Sequence, residues 1–293
     1  MSKFYKANAY GKINLYLDVL NRMENGYHNV ESIMQSVSLC DEVRLELDNI
    51  NTEENIIEIR TNSSNIPIDK SNLVYRCADK LLNATKTKGK KCIFTIEKQI
   101  PIAAGMAGGS SDGATAMKLL NQALSYPLND TELKKLGATI GADIPFCISG
   151  GTCVCRGIGD EITPLKPLKN VYLVCAIDNS SVSTPVAFSM LDEKYGINPP
   201  AHGKLSDMKE SIEHSDIAGI SSLLYNKFES VIIPQNENVQ KIKDIMMSCG
   251  ALGALMSGSG PSVFGLFLDE CTQNNALCVL KNCSINAFLC KTV

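Results

Sequence analysis

"AAGMAGGSSDGATAM", Ala103 to Met117, lies between a strand-like run, CIFTIEK, and a helix-like run that continues to Leu124. A helix N-terminus carries N–H groups without intrahelical acceptors and a partial positive charge. Where the residues before it lack bulky side chains, a phosphate can approach the backbone and be held by several donors. Gly105, Gly108 and Gly109 supply that access, and the Ser110 and Ser111 hydroxyls add donors or help hold a magnesium–nucleotide. No Gly-Lys-Ser/Thr closes the stretch, so it is not a Walker loop. It also comes late in the chain, after antiparallel-looking strands, which does not suit a dinucleotide fingerprint. The competing explanation is a tight turn with glycine used for packing alone. Composition and spacing support a phosphate or nucleotide loop and nothing narrower.

Upstream, KINLYLDVL alternates, with Ile13, Leu15, Leu17 and Val19 on one side and Lys12, Asn14, Tyr16 and Asp18 on the other. That pattern predicts a half-buried strand. A turn, NRMENGYHN, and a second strand, VESIMQSVSL, follow; VRLELD and IIEIRT read as a hairpin pair, and NLVYRCADKLL as a helix. Beyond the glycine stretch, a helix is expected from about Ser111 to Leu124, and another from a cap at Asp130 or Thr131 to Gly141. After Gly157-Ile158-Gly159-Asp160 the order becomes strand, helices, strand, strand, helix, strand. An α+β fold in two domains, 1–160 and 161–293, is the expectation.

The chain has 293 residues, a formal net charge of −3, and 44% hydrophobic residues. Such weak charge argues against nucleic acid or an acidic membrane surface as partner. The N-terminus lacks the apolar core of a signal peptide and no segment reaches the length of a membrane span, so a cytoplasmic protein is expected. The 12 cysteines contain no CxxC pair and read as reduced, mostly buried thiols rather than a metal site or disulfide framework.

P-I-A-A-G-M-A-G-G-S-S-D-G-A, residues 101–114, resembles the P-x-x-x-G-L-G/A-x-G-S-S-x-A-A signature of the GHMP kinases. K-I-N-L-Y-L, G-A-D-I-P-F at 141–146 and G-A-L-M-S-G-S-G-P-S-V-F-G-L-F at 253–267 are similar to three further blocks of that family, in the same order. NGYHNVESIMQSVSLCDEV is similar to the R-x-D-G-Y-H block of the branch that phosphorylates a cytidine-diphosphate sugar-alcohol. Four departures stand out: Met106 for Leu, Ala107 for a frequent Gly, Gly113 for Ala, and Tyr10-Gly11 for Pro-Ala. Ala107 suggests that its position needs no positive φ.

The resemblance implies a mixed-sheet nucleotide domain followed by a ferredoxin-like domain. It implies ATP and Mg²⁺ as cofactors, phosphorylation of the 2-hydroxyl of a 4-diphosphocytidyl sugar-alcohol for isoprenoid precursors, and a monomer or weak homodimer. In that reading Asp143 is the general base and Lys12 its partner, a pairing that keeps the carboxylate ionised and neutralises developing charge. On residue type alone, Asp143 would be a turn or capping residue and Lys12 solvated surface. Pro101, Ile102, Ala103, Ala104, Gly105, Met106, Ala107, Gly108, Gly109, Ser110 and Ser111 form the implied ATP loop, with Lys98 and Asn72 toward the adenine. Tyr27 is implied to stack on cytosine, with His28 on its polar edge and Phe188 on the second face. Thr184, Pro185 and Asn14 complete the substrate set, and Ser257-Gly258-Ser259-Gly260 shapes the transfer site. A GHMP kinase for another alcohol, such as homoserine or mevalonate, would lack the Tyr27-His28 block. A non-catalytic nucleotide-binding regulator would need neither Lys12 nor Asp143.

Overall fold

The structure, a computed structural model, describes residues 2–178 and 182–293. Two long strands, β1 (Lys3–Arg22) and β2 (His28–Asn49), each contribute residues to both compact units of the chain. Unit one contains residues 1–11, 40–102 and 107–150; unit two contains 12–39, 103–106 and 151–293. The expected division at residue 160 falls inside the last segment of unit two.

In unit one, β3 (Ile56–Thr61), α1 (Leu73–Ala84) and β4 (Lys90–Glu97) form a crossover in which β3 pairs parallel with β4. The 42–49 part of β2 pairs antiparallel with β4, placing Val43, Leu45 and Leu47 opposite Ile96, Phe94 and Cys92. The expected hairpin of VRLELD with IIEIRT does not form, because β4 lies between them. A parallel pair needs a helical connection, and α1 supplies it while burying Val74, Cys77, Ala78, Leu81 and Leu82. α2 (Gly108–Ala123), α3 (Asp130–Ala138) and α4 (Ile144–Ser149) complete the unit. Gly113 lets α2 approach α1, since a Cβ there would lie 2.8 Å from Cys77 Sγ. The cap of α3 is Asn129 rather than Asp130 or Thr131: its side chain accepts from Glu132 N–H while Glu132 returns the bond.

In unit two, β5 (Thr152–Arg156) pairs with residues 32–35 of β2 and with β6 (Glu161–Pro164). β7 (Tyr172–Ile177) is followed by α5 (Thr184–Tyr195), α6 (Leu205–Glu213), α7 (Ile217–Ser222), the short β8 (Tyr225–Asn226), α8 (Glu229–Ile232) and α9 (Glu237–Ser248). Then come β9 (Gly253–Met256), β10 (Ser262–Phe267), α10 (Glu270–Asn282) and β11 (Asn286–Lys291). The sheet order β11-β7-β10-β9, antiparallel throughout, is the 4-1-3-2 arrangement of a ferredoxin-like domain. Its core joins Val174, Ala176, Val263 and Phe267 to Ile242, Met246, Ala276 and Leu280 from α9 and α10.

Seven of the cysteines, Cys77 and Cys92 among them, are buried, while Cys271, Cys278 and Cys283 are exposed. Among the described residues no helix is long and apolar enough to cross a membrane.

The polar side of KINLYLDVL is not a solvent face. Lys12, Asn14, Tyr16 and Asp18 are all buried. Burying polar groups requires partners, and each has one: Asp18, for example, pairs with Lys227 at 2.6 Å. Burial, then the nearby Asp18, pushes the Tyr16 hydroxyl up to about 12, so it remains protonated.

Candidate active site

The glycine stretch folds as a loop with three left-handed residues before a helix. Ala103 (φ 55°), Gly105 (φ 73°) and Ala107 (φ 56°) all have positive φ, and α2 begins at Gly108, earlier than the periodicity suggested. The expectation for Ala107 is therefore wrong. It is the N-cap of α2 in a left-handed conformation, which the junction demands and a non-glycine residue adopts at a cost.

Ser111 N–H is bonded to Ala107 O, whereas the N–H groups of Gly108, Gly109 and Ser110 have no acceptor among the described residues. These are the orphan donors of a helix start, with Gly109 exposed. Such a terminus fits a phosphate through its chemistry alone. The Ser111 hydroxyl donates to Tyr10 O at 2.7 Å, leaving Ser110 as the loop hydroxyl without a partner among the described residues.

Gly105 has no room for a side chain. A Cβ there would lie 2.5 Å from Ser257 O, on top of its positive φ. We expect Gly105→Ala to lower the stability of unit two by at least about 1–3 kcal/mol, the scale of forced strain at one residue. Chemical denaturation beside a Gly26→Ala control, where the φ of 86° has open space around it, separates crowding from φ strain; equal losses would mean that Ser257 gives way freely.

Lys12 is held by its backbone, whose N–H donates to Met106 O at 3.0 Å, and by its Nζ, which donates to Asn14 Oδ1 at 2.8 Å. Asn14 in turn donates from Nδ2 to Ser32 Oγ at 2.8 Å, and its backbone N–H reaches Ser257 Oγ at 3.3 Å. Asn226, which sequence reasoning missed, donates to Met256 O at 2.7 Å and Gly258 O at 2.8 Å and so shapes the Ser257–Gly260 loop. Unit two therefore brings together Lys12, Asn14, the 103–106 segment and the serine-glycine loop. Thr184 joins them through its Oγ1, 3.0 Å from Ser259 Oγ, with Pro185 beside it in the first turn of α5.

Asp143 belongs to unit one, at the N-cap of α4, yet its side chain makes no capping bond. No described residue bonds its carboxylate. The two residues proposed for the adenine side are occupied within unit one. Asn72 caps α1, accepting from Val74 N–H at 2.8 Å and donating to Pro67 O at 2.6 Å. Lys98 forms a buried triad with Asp41 and, at 2.8 Å, Asp112. Burial opposes its charge, but the two carboxylates raise its pKa and keep it protonated. Pro101 is half-buried and Ile102 exposed, while Ala104 and Met106 are buried.

In unit two, Gly26 (φ 86°) closes the turn after β1, where Met23 N–H donates to Tyr27 O. Tyr27 is left 59% exposed, a large aromatic available to a ligand. His28 is buried and stacks on Phe188 with ring centroids 4.4 Å apart and planes 13° apart. One face of Phe188 is therefore covered by His28. His28 Nε2 lies 2.8 Å from Asp192 Oδ1, and Arg22 Nη1 lies 3.2 Å from Asp192 Oδ2. Asp192 carries no sequence signal beyond its place four residues after Phe188.

The family described as GHMP kinases N terminal domain matches residues 72–151, and GHMP kinases C terminal matches residues 208–285. A 4-diphosphocytidyl-2-C-methyl-D-erythritol kinase of Clostridium tetani is 38% identical over 288 residues, covering 98% of this chain and 100% of the relative. One of Enterococcus faecalis is 43% identical over 258 residues, 88% of each chain. The crystal structure of a 4-(cytidine 5'-diphospho)-2C-methyl-D-erythritol kinase superposes with a TM-score of 0.79 at 27% identity, covering 98% of this chain and 99% of the other. Relatives this similar over nearly their whole length share more than a fold, and this chain belongs to the GHMP kinases.

Proposed function

We propose that this chain transfers the γ-phosphoryl of ATP to the 2-hydroxyl of 4-diphosphocytidyl-2-C-methyl-D-erythritol, a step toward isoprenoid precursors. The observation that carries this is the near-complete coverage of relatives bearing that kinase's name. The retained Tyr27-His28 block supports it against homoserine or mevalonate as acceptor.

In this reading the N–H groups of Gly108, Gly109 and Ser110 receive the phosphates, with Gly105 and Ala107 setting the loop's course. Ser110 is the hydroxyl that would help hold a magnesium–triphosphate complex, in which the metal would neutralise phosphate charge. Asp143 takes the proton from the acceptor hydroxyl. Lys12, its ammonium oriented by Asn14, balances the charge that develops on the transferred group. A carboxylate without a partner among the described residues suits the role of base better than that of a cap. The cytosine stacks on Tyr27, with His28 at its polar edge and Phe188 toward its second face, and Thr184, Pro185 and Asn14 bind along the rest of the acceptor. Positioning and electrostatics do most of the work, as expected for phosphoryl transfer. The enzyme would act in the cytoplasm, as a monomer or weak homodimer. ADP release measured with this alcohol beside homoserine and mevalonate tests the assignment; preference for either of the latter would overturn it.

Tyr27→Ala should weaken binding of the cytidine substrate by about 1–3 kcal/mol, the scale of one base stacked on one aromatic. That is roughly five- to 150-fold in Kd. Calorimetry with the substrate and, separately, an ATP analogue should show the loss for the first ligand only. No loss for either would leave the block as a mere turn.

A further inference from the structure

Phe228, Phe188 and His28 form a stack that ends on a carboxylate. Phe228 and Phe188 meet in a T-shaped contact at 5.0 Å and 80°, and Phe188 lies nearly parallel to His28. Packing therefore sets the plane of the imidazole, but a half-turn about Cβ–Cγ would keep that plane while exchanging Nδ1 with Cδ2 and Nε2 with Cε1. Asp192 removes the ambiguity, with Oδ1 2.8 Å from Nε2. Its other oxygen is engaged by Arg22 at 3.2 Å. An ionised carboxylate only accepts, so the proton between the two groups sits on Nε2. In the neutral ring Nδ1 then carries the lone pair, and Nδ1 has no partner among the described residues.

We infer that Asp192 is a positioning residue for base selection: by holding the Nε2–H tautomer of His28 it makes Nδ1 an acceptor. An acceptor suits the exocyclic amine of cytosine and opposes the carbonyl oxygen that uracil carries at the same position. This rests on the cytidine substrate proposed above. Neither the phosphate loop nor Asp143 is involved, so ATP handling is independent of it.

The test combines ¹⁵N NMR of His28 in the ligand-free protein with kinetics on the cytidine substrate and its uridine analogue. The wild type should show a protonated Nε2 and a bare Nδ1, and should favour the cytidine compound. In Asp192→Asn, Arg22 can only donate and so takes the amide oxygen, leaving the amide nitrogen to donate to Nε2, and the tautomer should invert. The cytidine-over-uridine ratio of kcat/KM should fall about tenfold or more, as expected when a polar group in a specificity site faces the wrong partner. The KM for ATP should not move. Arg22→Gln breaks the ion pair but leaves Asp192 on His28, so it should keep both tautomer and preference. A wild-type His28 protonated on Nδ1 instead of Nε2 would overturn the inference, even if Asp192→Asn fails to fold. So would an unchanged ratio in a folded Asp192→Asn, or equal losses in Arg22→Gln. A wild type that ignores the cytidine compound and phosphorylates another alcohol would instead sink the substrate reading, which the spectra do not depend on.

Discussion

Asp143→Asn should yield a folded protein that binds ATP normally and turns over at least about a hundredfold more slowly, the usual loss when a general base is removed. The substitution is nearly isosteric, and Asp143 makes no capping bond that α4 would lose. Stability should accordingly stay within a few tenths of a kcal/mol, typical of a site without such features. That combination is diagnostic. A capping aspartate would lose stability and keep its rate; a base loses rate and keeps its stability. Denaturation midpoints and kcat measured on the same preparation distinguish them, and near-normal turnover would end the assignment of Asp143 as base.

The largest effect on stability should come from Lys227→Met. Lys227 is 3% exposed and Asp18 1%, and the two lie 2.6 Å apart. The ammonium also donates to Val19 O at 2.9 Å and Pro200 O at 2.5 Å. Removing it leaves Asp18 buried with the backbone N–H of His202, at 2.7 Å, as its remaining donor among the described residues. Stranding one member of a buried pair costs about 3–5 kcal/mol. Because the penalty arises from the uncompensated charge, Asp18→Asn added to Lys227→Met should recover part of the loss, which a double-mutant cycle by chemical denaturation would measure. Additive losses would show that the two residues act independently.

Local signals were legible wherever near neighbours in sequence decide the outcome. The helical spacing of Leu73 to Leu82, the alternation of KINLYLDVL and the βαββαβ order after residue 170 each produced the expected element, because propensity and period act over a few residues. Pairing partners were harder. VRLELD and IIEIRT are both good strands, and nothing in either states that β4 will enter between them.

Within the candidate site, the glycine-serine run by itself determined that a helix would start with exposed backbone donors, since small residues there leave little else to present. The tertiary structure decided the rest. Alternation marked Lys12, Asn14 and Asp18 as polar, but whether a polar face meets water or partners depends on residues as distant as Ser257 and Lys227. Ala107 takes a left-handed φ although its side chain disfavours one, a cost only the surrounding structure can impose. Asp192 lies 164 positions from His28 and was invisible beforehand. Sequence periodicity records which residues want burial, whereas the partner of a buried polar group is set by where the folded chain returns.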